Sequence, residues 1–349
     1  MGRIFLLEEN ILKKTLALFT AFVLTLSAAL TGCGQSGAKN TASSDKKLQD
    51  FTLILDWYPN AVHAFIYDAI AKGYYADEGL NIKVEFPSNS NDPLSLTAAG
   101  KADAGLYYQD DLIVARAGQN VPVKAIGTVV TKPLDLIASI ADKNINSPAD
   151  LKGKTVGYTG VKFSEGVIES MLESSGLKMD DIKLVNVGFD LMSAMTTGNV
   201  DATFGCFINH EIPMLEKQGF KMNCMSVTDY GMPNYYALVF VAGDKNIQSD
   251  SEKYAKFLRA SKKGFDDMKK DPDGTLKILL ESQDKANYPL DESVEKKSMS
   301  ILLPVMESDG KQFLAQDKDC YEKNIDWLYK KGLIPQKANA EDMYTDILK

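Results

Sequence analysis

The chain has 349 residues, 45% hydrophobic and 25% charged, with a formal charge of −8. That acidity excludes the basic stripe of a nucleic-acid binder, and two histidines with four cysteines exclude a histidine-rich metal centre and a disulfide scaffold. The three arginines, Arg3, Arg116 and Arg259, are few for a protein that clamps phosphate or sulfonate.

Lys13 and Lys14 precede an apolar run from Thr15 to Leu30. This run is shorter than the roughly 20 residues that span a bilayer. It closes with Leu30-Thr31-Gly32-Cys33. A basic start, a short apolar stretch and small residues before a cut predict a secretory signal peptide over 1–32. The ending resembles the bacterial lipobox, which implies lipidation of Cys33. Residues 33–50 are rich in Gly, Ser, Ala and Lys and read as a flexible tether. The expectation is an extracytoplasmic protein anchored to the cell membrane by lipid. Cys206, Cys224 and Cys320 remain; a Cys206–Cys224 bridge and buried free thiols are both open.

Phe51–Leu55 reads as a strand, followed by the loop Asp56-Trp57-Tyr58-Pro59-Asn60 and a helix from Ala61 to Lys72. Strands follow at Ile82–Phe86 and Ala104–Tyr108, with helices at Pro93–Lys101 and Asp110–Ala117. Alternating strands and helices imply mostly parallel sheets. The pattern Gly100-Lys101-Ala102-Asp103-Ala104 recurs as Gly198-Asn199-Val200-Asp201-Ala202, each time between a short helix and a short apolar strand. This reads as an internal duplication. Leu134–Ile140 and Tyr235–Ala242 look like two hinge strands around a second α/β unit. Helices are expected at Ser251–Lys270, Asp273–Glu281, Asp291–Met306 and Cys320–Lys331, packing back on the first half. The fold class is therefore α/β with two lobes. Lobe 1 takes 51–136 and 237–349, and lobe 2 takes 137–236. Ligands of such sheets bind beyond the carboxyl ends of the strands, here in a cleft between lobes.

The strand tips carry aromatic and amide side chains. Trp57, Asn60 and His63 follow the first strand; Tyr107, Tyr108 and Gln109 follow the third. Gly160 and Glu165 lie near Tyr158, Asn209 and Glu211 follow Phe207, and Tyr235 is on the returning hinge. Such a set suits a flat, nitrogen-rich heterocycle that is uncharged or weakly basic: rings stack on it, and amides and carboxylates read its edge. Simpler readings compete. Trp57 could be core packing, His63 a satisfied core histidine, and Glu211 a carboxylate favoured by its helix's first turn. No nucleophile elbow, P-loop, dinucleotide fingerprint or zinc-protease motif is present.

The segments Leu55-Asp56-Trp57-Tyr58-Pro59-Asn60, Lys72-Gly73-Tyr74-Tyr75 and Pro233-Asn234-Tyr235-Tyr236 resemble the thiamine-pyrimidine-synthase-like family over about residues 51–245. That resemblance implies a type II periplasmic-binding-protein fold. The bacterial lipoprotein branch captures N-formyl-4-amino-5-aminomethyl-2-methylpyrimidine, a thiamine degradation product, for an ABC importer. It implies a monomer that hands an aminopyrimidine to a permease and its ATPase, with no cofactor and no catalysis. The enzyme branch carries a lysine, a histidine and a cysteine cluster at the places held here by Tyr107, Asp111 and Gly231–Asn234. On this reading Trp57 and one of Tyr107, Tyr108 or Tyr235 stack on the ring. Glu211 with Asn60 or Asn209 holds the amino edge, and Gly160 lets the backbone approach. Riboflavin or another heterocycle in the same fold is an alternative. Sulfonate or nitrate, and an extracellular enzyme, are weaker ones.

Overall fold

The computed structural model describes residues 47–283, 285 and 289–348. The expected signal peptide, Cys33 and most of the tether lie outside the described residues. Gln49 and Asp50, expected in the tether, already belong to the first strand. Among the described residues no helix is long and apolar enough to cross a membrane.

In chain order the strands are β1 (Gln49–Ile54), β2 (Leu80–Glu85), β3 (Ala104–Tyr107), β4 (Val123–Val130), β5 (Asp135–Ile140), β6 (Thr155–Tyr158), β7 (Lys183–Asn186), β8 (Ala202–Phe207), β9 (Met222–Ser226) and β10 (Leu238–Gly243). They form two five-stranded sheets of one design, β2-β1-β3-β10-β4 and β7-β6-β8-β5-β9. In each, the fourth strand runs antiparallel to both neighbours and the first two pairings are parallel. That fourth strand follows a crossover, so it enters its sheet from the opposite end. All six residues of β10 are buried, as for a central strand covered on both faces.

The helices are α1 (Ala64–Ala71), α2 (Tyr74–Asp77), α3 (Asp92–Ala98), α4 (Gln109–Gln119), α5 (Lys162–Ser174), α6 (Leu191–Thr196), α7 (Glu211–Lys217), α8 (Asp244–Ser249), α9 (Ser251–Lys270), α10 (Pro272–Ser282), α11 (Glu292–Met306) and α12 (Lys318–Lys330). The repeated pentapeptide does the same work in both sheets. Gly100 and Gly198 take positive φ after α3 and α6. The next aspartates then clamp a first strand: Asp103 accepts from the Thr52 amide at 2.8 Å and Asp201 from the Thr155 amide at 2.9 Å. Lys253 and Lys143 pair with them in turn.

The core of lobe 1 is an aromatic stack under α9. Phe257 lies parallel to Phe51 at 4.5 Å and to Tyr75 at 5.8 Å, with Phe240 edge-on at 4.9 Å. On the hinge side, α12 packs where the lobes adjoin, with Trp327 edge-on to Phe163 of α5. The hinges differ from expectation. β5 starts at Asp135 inside the second sheet, so the first crossover is 131–134. Tyr235–Ala237 is crossover, and β10 begins only at Leu238. Cys206 and Cys224 lie on strands either side of β5 and are free, as is Cys320, so the bridge left open above is absent.

Candidate functional site

The carboxyl ends of β1, β3, β6 and β8 converge on one cavity. Asp56, Trp57 and Asn60 follow β1; Tyr108, Asp110 and Asp111 follow β3; Thr159, Phe163 and Ser164 follow β6; Asn209, His210 and Glu211 follow β8. Asp135 enters from the start of β5 and Tyr235 from the second crossover. The cavity holds about 60 Å³ open to water centres. At about 10–15 Å³ per water this is roughly four to six waters, the bulk of one small ring with a short substituent. Trp57 forms a wall of it, edge-on to Phe189 of lobe 2 at 4.2 Å. Trp57 also borders a recess of about 340 Å³ among Phe189, Met192, Met214 and Leu290.

The electrostatics of the wall are one-sided. Among the described lining residues are five carboxylates and no lysine or arginine. Burial raises Asp111 to about 7, with Asp135 adding to it. Burial raises Asp135 to about 6, opposed by the Tyr235 hydroxyl that donates to it. Asp110 is driven well above the usual carboxylate range by burial and by these two neighbours. Arg116 and Arg259, which an anion site would need, are paired on the surface of lobe 1 with Asp244 and with Glu78 and Glu252.

His210 is the one basic group of the lining. Its Nδ1 lies 3.0 Å from Glu211 and its Nε2 lies 3.4 Å from Glu295 of α11. Both partners accept, so both ring nitrogens carry protons. Burial opposes the charge, but the two carboxylates outweigh it and raise His210 to about 10. Glu295 also accepts from the Ala61 amide at 2.7 Å, tying the pair to the turn that precedes α1. Asn209 donates to Ser298 at 2.9 Å, and Lys217 pairs with Asp291. The turn after β8, in lobe 2, is thus fastened to α11 of lobe 1 across the cleft.

Of the residues expected from sequence, Trp57, Asn60, Tyr108, Asn209, Glu211 and Tyr235 meet in the cavity wall. Five lie elsewhere, each for a visible reason. His63 is fully buried; its Nδ1 accepts from the Asn60 amide, so its Nε2–H donates to Asp56 and it holds the β1 loop in shape. Gln109 accepts from the Tyr236 amide at 2.8 Å, and with Asn324, which donates to the Asn234 carbonyl, it clamps the second crossover. The Tyr107 hydroxyl donates to Asn91. Glu165 accepts from Tyr158 and Lys162 on the outer face of α5. At Gly160 an added Cβ would stand 2.3 Å from Asn186, so its close approach is to that side chain. The reading from sequence passed over Asp110, Asp111, Asp135, Phe163 and Ser164. The adjacent acids between an apolar strand and the apolar Leu112-Ile113-Val114 were the available signal, since a helix start buried that deeply must take its acids inside.

The two sheets, two crossovers and intervening pocket define a two-lobed α/β fold with a pocket between the lobes. Residues 60–275 match the model of the NMT1/THI5-like family, and the chain belongs to that family. It is 41% identical, over 88% of its length and 93% of the relative's, to a formylaminopyrimidine-binding protein of Halalkalibacterium halodurans. It is 24% identical to a 4-amino-5-hydroxymethyl-2-methylpyrimidine phosphate synthase of Aspergillus parasiticus, over 74% of the chain and 77% of the enzyme. Among solved structures, the alkanesulfonate-binding protein SsuA of Xanthomonas axonopodis superposes with a TM-score of 0.68 at 14% identity, covering 85% of this chain and 98% of that one.

Proposed function

We propose that this protein captures N-formyl-4-amino-5-aminomethyl-2-methylpyrimidine outside the cytoplasm and delivers it, unaltered, to an ABC permease and its ATPase for thiamine salvage. It acts as a monomer held to the membrane through lipidated Cys33. The observation that carries the reading is a ring-sized cavity walled by Trp57, Tyr108 and Tyr235 and edged by carboxylates, with no lysine or arginine among the described lining residues. Such a wall offers acceptors to N–H donors and no lysine or arginine to a sulfonate or nitrate. Against catalysis, Tyr107 stands where the enzyme branch carries its lysine, and burial raises the Cys206 thiol away from thiolate.

The test is isothermal titration of the full chain in detergent, refolded to remove carried-over ligand. Tight one-to-one binding of the formylaminopyrimidine, without turnover, is expected, with no heat from taurine or riboflavin. Binding of taurine alone would overturn the ligand. Trp57→Ala removes a stacking face that borders both the cavity and the recess. We expect a loss of about 1–3 kcal/mol in affinity, as for other base–aromatic contacts. An unchanged Kd would remove Trp57 from the site.

A further inference from the structure

Asp110 is 1% exposed, and neither carboxylate oxygen has a hydrogen-bond partner. It stands in the first turn of α4, in the cavity wall. The titratable groups acting on it are Asp111 on its own helix, Asp135 on β5 with its Tyr235 partner, and Cys320 and Tyr321 on α12. None of these is a cation, and His210 is committed to Glu211 and Glu295. An unpaired carboxylate is costly to ionise in such a place. A neutral carboxylic acid presents one O–H donor and one carbonyl acceptor side by side. The edge of a 4-aminopyrimidine is its complement: a ring nitrogen that accepts, beside an exocyclic amine that donates. Glu211, expected to hold that edge, has both oxygens engaged, by the Phe207 amide at 2.8 Å and by His210.

We propose that Asp110, as a neutral acid, is the group of the cleft that binds the edge of the ring: its O–H donates to the ring nitrogen and its carbonyl accepts from the exocyclic amine. No proton changes hands. The assignment rests on the aminopyrimidine reading above; with both oxygens unpartnered, the acid fits an edge that sets a donor beside an acceptor and penalises a ligand that lacks one of them.

The experiment titrates the formylaminopyrimidine and its analogue lacking the 4-amino group into the full-length protein and two variants. For the wild type we expect tight binding of the amino compound and at least 10-fold weaker binding of the analogue without the amine. Asp110→Ala leaves two buried ligand groups unpaired and should weaken binding about 100-fold. Asp110→Asn keeps a donor beside an acceptor and should stay within about fivefold of wild type. Thermal melting of each ligand-free variant verifies folding. Wild-type affinity in Asp110→Ala would overturn the proposal. Equal losses in Ala and Asn would overturn the neutral acid in favour of an ionised carboxylate. If the wild type binds neither compound, the aminopyrimidine reading falls, and this assignment with it.

Discussion

Replacing His210 with leucine is expected to cost the closed protein about 3–5 kcal/mol, the penalty for stripping the partner from buried charges. Glu211 and Glu295 are nearly inaccessible, and His210 is the cation between them. Without it two carboxylates from opposite lobes face each other across the cleft, and the lobes are driven apart. Affinity for the formylaminopyrimidine should fall by at least 100-fold, and small-angle scattering should show the variant remaining open at ligand concentrations that close the wild type. A compact, tightly binding variant would mean that the triad does not hold the lobes together. The pH dependence has a definite sign. His210 is raised from 6.5 to about 10, so its contribution is complete below about pH 6.5 and is lost as pH rises through about 10. Glu211 is lowered, so its contribution is present above its ordinary 4.5 and is lost as pH falls through its lower folded value. Thermal stability should therefore drop at both extremes, and His210→Leu should flatten the alkaline limb.

Phe257→Ala should cost about 3–5 kcal/mol of folding stability. Phe257 is fully buried, stacks on Phe51 and Tyr75 and meets Phe240 edge-on. No smaller side chain fills a space bounded by a sheet on one side and α2 on another. A fall in melting temperature of roughly 10 °C is expected by calorimetry. None of these rings lines the cleft, so Kd below the transition should hold. A shift of less than about 2 °C would mean that the core collapses around the gap.

The fold was legible where periodicity and punctuation coincide. Ser251–Lys270 is a helix at the residues its pattern marks, with Asp250 accepting from the Lys253 amide at its start. β9 was hard to read because Met222–Ser226 contains no β-branched or aromatic residue; it pairs with β5 along its length and takes its shape from that neighbour. The site was half legible. Loop aromatics such as Trp57 and Tyr108 announce themselves at strand ends. Asp110 and Asp111 look like ordinary dipole-favouring acids in a helix's first turn, and only the packing of α4 between both lobes reveals that they are inside. His63 and Gln109 failed in the other direction. Their residue types suit a ligand, but their hydrogen bonds are spent on the backbone of the β1 loop and of the second crossover.

In the first sheet Leu238 of β10 is the register partner of Val130 of β4. The chain therefore leaves lobe 1 and returns to it at adjacent points, and lobe 2 occupies the place where a hairpin of two to five residues would ordinarily serve. Topologically the second lobe is a cassette. Recombination between relatives at these two points would exchange Phe163, Asn209 and Glu211 as one block while Trp57, Asn60 and Asp110 stayed behind. New combinations of pocket halves would thus arise without rebuilding either core, provided the incoming block met α11 and α12 with matching surfaces. A lineage of such proteins could diversify its ligands by shuffling before it had refined a single contact.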